Sequence, residues 1–493
     1  MSSLKEECGL FGIYGTETQN VAGTVYYGLF ALQHRGQETC GIVVNDEGLF
    51  SSYRDTGIVN DVFTPAVLES LGEGQLAVGH VHYGKETQAP RANAQPLVVN
   101  HHKGRMAIAH NGSLVNGYEL RQKLEEEGSI FHTTSDAEII AYTIVKARLK
   151  CHSIEESINI AMNDLKGAYS IVAMSPTKLI AARDELGMRP LCYGKRDDGT
   201  YIVASESCAL DATDAKYIRD IEPGEIVVFD KDGVRSIKDH CNKQPHKICI
   251  FEYLYFARPD SVIEGVSVHD ARLKAGACLA MEHPVQADVV IGVPDSGLDA
   301  ALGYSRQSGI PYGIGFIKNK YIGRTFIAPG QSAREDKVRI KLNVLKDTVK
   351  GKRVVLVDDS IVRGTTAARI VKLLREAGAA EVHMRSAAPP FINPCYYGTD
   401  IDSKDKLIAC RHTIEEIKEI IDVDSLGFLN VDHLNMLIGS KLNEGYCNAC
   451  FSGNYPTEEP VVPENKFAKK IYVRQLEKNQ STIYKILWEV KMF

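Results

Sequence analysis

The sequence predicts two folds in tandem, an α+β first half built on antiparallel sheets and an α/β second half built on a parallel sheet. Three observations carry this expectation. Up to about residue 237, short strand-like runs alternate with Gly, Asn and Asp turn signals. From residue 287 onward, continuous apolar runs end in acidic and hydroxyl residues, as strands buried on both faces do. Between the two textures lies a polar stretch, DHCNKQPHK, at 239–247.

In the first half the strand-like runs are LFGIYG, GQLAVGHVHYG, RMAIAHNGSL, GAYSIVAMS and EIVVFD. DAEIIAYTIVKARLK and SIEESINIAMNDL carry helical patterning. Together these make antiparallel sheets covered by helices. In the second half, ADVVIGVPDS (287–296) and GKRVVLVDDS (351–360) read as buried parallel strands. TTAARIVKLLREAGA places Ile370, Val371, Leu374 and Ala377 at helical spacing, with Gly378 as a stop signal. EVHMRSAAP is the next strand, which completes a βαβ unit with ligands expected at the strand C-termini. The last segment, ENKFAKKIYVRQLEKNQSTIYKILWEVKMF, reads as a helical extension.

The chain has 493 residues, room for two to four domains at a prior of ~150 residues each. Its net charge of −6, without a basic stripe, argues against a nucleic-acid partner. No run approaches the ~18 apolar residues of a membrane span, and no signal peptide is evident, so a cytoplasmic location is expected. Twelve cysteines in such a chain do not form a disulfide framework. Each is free, buried, reactive or metal-bound.

The most specific signal is VVLVDDSIVRGTT (354–366). A strand delivers Asp358 and Asp359 to its carboxyl end, followed by a loop of Ser360, Arg363, Gly364, Thr365 and Thr366 and then a helix. Loop amides, hydroxyls and a helix N-terminus make an anion cradle. Two carboxylates beside it suit ribose hydroxyls or Mg²⁺. The stretch resembles the phosphoribosyl pyrophosphate (PRPP) motif of type I phosphoribosyltransferases. GVPDSGLDAA (292–301) resembles the matching pyrophosphate loop, in which Ser296 falls where that family places a Mg²⁺ contact. The basic segment 318–343 has the composition of a cationic lid.

Ordered motifs extend the likeness over nearly the whole chain: EECGLFGIYG, ALQHRGQETCGI, AHNGSLVN, TTSDAEI, LKGAY, ASESCALD, FEYLYFARPDS, VDDSIVRGTT and GYCNACFSGNYPTE. The sequence resembles the glutamine PRPP amidotransferases of the propeptide-bearing, iron–sulfur type. The resemblance implies an Ntn-hydrolase glutaminase domain of stacked antiparallel sheets between helices, followed by a type I phosphoribosyltransferase domain. The corresponding segments are a propeptide (1–7), a glutaminase domain (8–238), a transferase domain (249–460) and the extension (461–493). The implied reaction transfers glutamine-derived ammonia to PRPP, giving 5-phosphoribosylamine, glutamate and pyrophosphate. Mg²⁺, a [4Fe–4S] cluster, purine nucleotide inhibitors and a homotetramer belong to the same implication.

Residue by residue, Cys8 corresponds to the family's N-terminal nucleophile, whose free α-amine, with a pKa of ~8, serves as base. An internal Cys8 has no such amine, so Met1 to Glu7 are expected to be removed. Asn111 and Gly112 correspond to the oxyanion hole, although an isolated Asn-Gly pair is also the signature of a type I′ turn. Asp136 corresponds to the acceptor of the substrate α-ammonium, with a helix N-cap as its structural alternative. Arg35 and Gly36 correspond to a motif shaping the glutamine pocket. Cys447 and Cys450 form a C-x-x-C pair that alone reads as zinc, redox or coincidence; with Cys249 and Cys395 they fall where iron–sulfur members place four thiolates. One position departs from the pattern. The family usually reads GHVRY, whose arginine grips the glutamine α-carboxylate, and this chain has His82 there. An imidazole mostly neutral at pH 7 predicts weaker glutamine affinity, improving toward pH 6 if His82 takes part in recognition, with Lys85 or Arg91 as compensators. Two further classes stay open at this point: an ammonia-dependent phosphoribosyltransferase with an impaired glutaminase half, and a non-catalytic PRPP or nucleotide sensor.

Overall fold

A computed structural model of the chain describes residues 8–83, 91–319, 342–401, 403–439 and 445–460. The leader 1–7, Lys85, most of the segment 318–343 and the extension 461–493 lie outside the described residues. At the two described ends of that segment, Phe316–Lys318 and Leu342–Val344 pair as antiparallel strands.

The first half contains thirteen strands: β1 (Gly9–Gln19), β2 (Thr39–Asp46), β3 (Leu49–Thr56), β4 (Gly74–His82), β5 (Leu97–His101), β6 (Gly104–Leu114), β7 (Gly167–Met174), β8 (Leu179–Arg183), β9 (Cys192–Lys195), β10 (Tyr201–Ala204), β11 (Lys216–Asp220), β12 (Ile226–Asp230) and β13 (Gly233–Ile237). They form a seven-stranded sheet, ordered β11-β9-β10-β1-β4-β2-β3, and a six-stranded sheet, ordered β13-β12-β8-β7-β6-β5. Every pairing within them is antiparallel.

Period-two alternation sorts the side chains into layers. Leu76 and Val78 of β4 join Leu10 and Tyr14 of β1 in a core against Ala107, Ala109, Val172 and Val227 of the other sheet. The intervening Ala77 and Val81 face outward with Phe11 and Ile13, where the helix Val21–Ala31 covers them with Val25 and Leu29. The helices Asp136–Arg148 and Ile154–Ala161 cover the opposite side through Ile140, Ile144 and Ile158. The result is a four-layer sandwich of helix, sheet, sheet and helix, and its inner space ends beside His80 and His82, the next inward positions of β4.

The second half carries a parallel sheet ordered Val289–Gly292, Arg353–Asp358, Glu381–Ser386 and Ser425–Phe428. Its central strand is apolar on both faces. Val355 and Val357 pack toward the helices Val268–Glu282 and Gly297–Ser308, while Val354 and Leu356 pack toward the helix Thr365–Glu376. The strand, turn and helix expected around residues 351–378 all form, with Ile370, Val371 and Leu374 buried. The polar stretch 239–247 is tied back to the first half: Lys247 N donates to Leu186 O at 2.7 Å, and His240 Nδ1 meets Glu185 at 2.8 Å. Both halves belong to one compact unit reaching Glu459.

Candidate active site

Cys8 stands at the mouth of the inter-sheet space. Gly9 lies opposite Val81 and Leu10 opposite His80, so the antiparallel register sets Cys8 against His82. The Cys8 Sγ to His82 Nδ1 distance is 2.9 Å. The turn after the helix Val21–Ala31 presses on the same point. A Cβ at Gly36 would sit 2.5 Å from the His82 backbone N, so only glycine allows this approach. Burial pushes the Cys8 thiol up to about 12, against the smaller opposing effects of the Tyr83 amide and the Arg35 charge. Burial likewise pushes His82 down to about 4. His80 is fully buried; its Nε2 lies 3.1 Å from His110 O, and its Nδ1 has no hydrogen-bond partner.

That His80 contact ties β4 to β6, which carries Asn111 and Gly112. The two residues are mid-strand, opposite Ser170 and Tyr169, and do not form a turn. Gly112 has φ 126°, and a Cβ there would lie 2.2 Å from Ala168 O. The Asn111 side chain is fully buried, and both its amide N and its amide O lack partners. An unpaired buried amide costs about 1–3 kcal/mol, so its retention points to a ligand. Asp136 begins the helix Asp136–Arg148, but the cap is Ser135, whose hydroxyl accepts from Ala137 N at 3.2 Å. Asp136 instead turns its carboxylate to the end of β6, accepting from Leu114 N at 2.9 Å and Ser113 Oγ at 3.2 Å. Burial raises its pKa, and those two hydrogen bonds partly offset the rise.

A buried network that single-sequence reading missed lies behind Cys8. Arg35 is 1% exposed. Its Nε donates to Cys8 O at 3.1 Å, one terminal nitrogen reaches Glu206 at 2.7 Å, and the other reaches Glu252 at 2.8 Å. Glu206 also accepts from His34, Arg258 N and Ser261 Oγ. Burial alone would raise Glu206; the charges of His34 and Arg35 outweigh it and hold the carboxyl well below its usual range. Glu252 sits in a π-helical turn, Glu252–Phe256, and meets Arg189 at 3.3 Å. The available signal was a lone carboxylate inside an apolar run, Glu252 in ICIFEYLYF.

At the carboxyl end of the strand Arg353–Asp358, Asp358 and Asp359 stand side by side, and burial raises both. Asp359 accepts from Ser296 Oγ at 2.5 Å and Ser360 Oγ at 2.6 Å. This joins the two loops that the sequence assigned to one phosphate site. Gly364, in the left-handed region, caps the helix that begins at Thr365, leaving Thr365 exposed and Arg363 and Thr366 half-buried at its N-terminus.

Cys249, Cys395, Cys447 and Cys450 line one pocket, together with Arg189 and Phe391. Cys249 and Cys447 are register partners of two short parallel strands, and Tyr397 N donates to Cys395 Sγ at 3.4 Å.

Residues 83–212 match the glutamine amidotransferase domain family, and residues 272–404 match the phosphoribosyl transferase domain family. The amidophosphoribosyltransferase of Bacillus subtilis (strain 168) is 46% identical over 475 residues, covering 95% of this chain and 98% of that protein. The amidophosphoribosyltransferase of Methanocaldococcus jannaschii is 49% identical over 468 residues, covering 92% and 98%. A solved structure of the B. subtilis glutamine PRPP amidotransferase complexed with ADP and GMP superposes with a TM-score of 0.86 at 46% identity, covering 93% of this chain and 100% of that one. The chain belongs to the amidophosphoribosyltransferase family. It is a glutamine amidotransferase and a glycosyltransferase. The comparisons lend no support to the ammonia-only paralogue or the non-catalytic sensor.

Within this amidophosphoribosyltransferase frame, two expectations are revised. Arg35 is buried and engaged by Cys8 O, Glu206 and Glu252, so its guanidinium is spent on fixing the Cys8 backbone. His82 lies against the Cys8 sulfur, whereas an α-carboxylate grip would stand at the far end of the substrate's aliphatic chain. Burial lowers its pKa to about 4, which opposes the gain of charge near pH 6 on which an improved glutamine affinity depends. Arg91, the other described candidate for compensation, is engaged 3.3 Å from Asp55.

Proposed function

We propose that this family member opens purine synthesis by moving the amide nitrogen of glutamine onto PRPP, with Cys8 as nucleophile after removal of residues 1–7. The observation that carries the glutamine half is the buried Asn111 amide, whose donor and acceptor both stand without partners. The freed α-amine takes the Cys8 thiol proton as Sγ attacks the carboxamide carbon, and passes it to the departing nitrogen. Asn111 Nδ2–H and the Gly112 N–H receive the oxyanion, the C–N bond breaks, and water later releases glutamate. Asp136 receives the α-ammonium. Arg35 keeps Cys8 O in place, and Glu206 and Glu252 keep Arg35 in place. Ammonia then passes inside the chain to C1 of PRPP, whose bond to the pyrophosphate oxygen breaks.

At the second site, Asp358, Asp359 and Ser296 offer only hard oxygen donors, which fit Mg²⁺. When bound, that ion neutralises the developing charge on the departing pyrophosphate. The loop of Ser360, Arg363, Gly364, Thr365 and Thr366 holds the 5-phosphate. For the four cysteines, four thiols gathered at one pocket and the family resemblance favour a [4Fe–4S] cluster over zinc. Such a cluster would staple the C-terminal segment to the transferase half. A cytoplasmic location, feedback by purine nucleotides and a homotetramer complete the proposal; no described helix is long and apolar enough to cross a membrane.

The test is Cys8→Ala. Glutamine-driven phosphoribosylamine formation should disappear, while ammonia-driven formation should persist. Loss of both rates, or of neither, would overturn the assignment.

A further inference from the structure

Among the described residues, one cluster has the donor set and spacing of a single-ion transition-metal site, and it contains the nucleophile. One ligand atom from each of Cys8, His80 and His82 lies within 4.8 Å of the other two. The fold places them together for reasons already given. His80 and His82 are successive inward positions of β4, and Cys8 is the cross-strand neighbour of His82. Their rings stack with centroids 5.7 Å apart.

We propose that Cys8, His80 and His82 form a Zn²⁺ site that reversibly caps the nucleophile. The donor set is one sulfur and two imidazole nitrogens, which select zinc and other thiophilic ions over Mg²⁺. His80 is prepared as a ligand: its Nε2 faces His110 O, the partner that fixes a metal-binding tautomer, and its Nδ1 is fully buried with no partner. Zn–S of ~2.3 Å and Zn–N of ~2.0 Å set the ligand atoms ~3.5 Å apart. The 2.9 Å contact between Cys8 Sγ and His82 Nδ1 would therefore open slightly. Binding exchanges the thiol proton for the metal: S–H breaks, S–Zn forms, and one proton enters solution. In the matured chain the Cys8 α-amine can complete a tetrahedron. A capped sulfur cannot attack a carboxamide, so the metal would silence the glutamine half and leave the ammonia-driven half running. Where an arginine stands at position 82, the site loses one of its three ligands.

The experiment uses the full chain, as purified with its four-cysteine centre, and neither glutamine nor PRPP. Zn²⁺ alone is added to wild type and to His82→Arg, and bound metal is counted after equilibrium dialysis. Zinc-edge absorption and the visible spectrum of the Co²⁺ form report the ligands. Wild type should hold one more equivalent than the variant, in a mixed nitrogen–sulfur shell. Zn²⁺ should also slow alkylation of Cys8, identified by peptide mass, at least ~10-fold in wild type and not in the variant; even loss of an outer-shell partner costs a site ~10–100-fold in affinity. His80→Gln gives an independent removal of a ligand if His82→Arg does not fold. Equal stoichiometry in wild type and variants, an added shell of sulfur alone, or unprotected Cys8 would overturn the proposal.

Discussion

Replacing Asn111 should separate catalysis from stability in a direction that ordinary core substitutions do not. Its side chain is fully buried, and neither amide atom has a partner, so Asn111→Ala removes no hydrogen bond from the free enzyme. The transition state loses a donor, worth ~10²–10³ in kcat or about 2.7–4 kcal/mol. Folding, by contrast, loses the packing of a small side chain and regains the penalty of about 1–3 kcal/mol for an unsatisfied buried amide. Unfolding in guanidinium should therefore place Asn111→Ala within about 1 kcal/mol of wild type, and Asn111→Leu, apolar in similar space, above it. Glutaminase kcat should fall at least ~100-fold in both, with ammonia-driven synthesis preserved. A variant destabilised by several kcal/mol, or one whose glutamine- and ammonia-driven rates fall together, would refute the oxyanion assignment.

Asp136 predicts a pH signature. Its carboxylate must be charged to hold the α-ammonium, and burial raises its pKa, so glutaminase kcat/KM should fall on the acid side at a pH above the usual carboxylate range of ~4. Asp136→Asn should flatten that limb to a low floor; an unchanged profile would remove Asp136 from the site. Glu252→Ala removes a buried carboxylate shared by Arg35 and Arg189 and should cost about 3–5 kcal/mol in denaturant-measured stability, with Glu252→Gln costing less. Cys450→Ser should lower iron content as measured by elemental analysis, together with resistance of the C-terminal segment to proteolysis. Wild-type iron content in that variant would argue against the cluster.

The transferase half was legible because its determinants are local. One strand, one loop and one helix contribute Asp358 through Thr366, and the apolar run before them can only be buried. The glutaminase half is assembled from distant pieces, and its geometry was correspondingly harder to read. Asn-Gly at 111–112 has the composition of a turn yet lies mid-strand, because pairing with Ser170 and Tyr169 overrides the local preference. His82 was read through the arginine it replaces. The alternation Leu76, Val78, His80, His82 already showed which way it faces, but only the β1–β4 register reveals that Cys8 is what it meets. The two carboxylate partners of Arg35 lie 171 and 217 residues away, a pairing that local sequence does not signal.

Arg189 lines the cavity of the four cysteines and also meets Glu252, whose other partner, Arg35, grips the Cys8 carbonyl. Three side chains, Arg189, Glu252 and Arg35, thus connect the pocket of Cys249, Cys395, Cys447 and Cys450 to Cys8. A change at the four-cysteine pocket therefore has a short polar route to the Cys8 carbonyl, through residues of both halves of the chain.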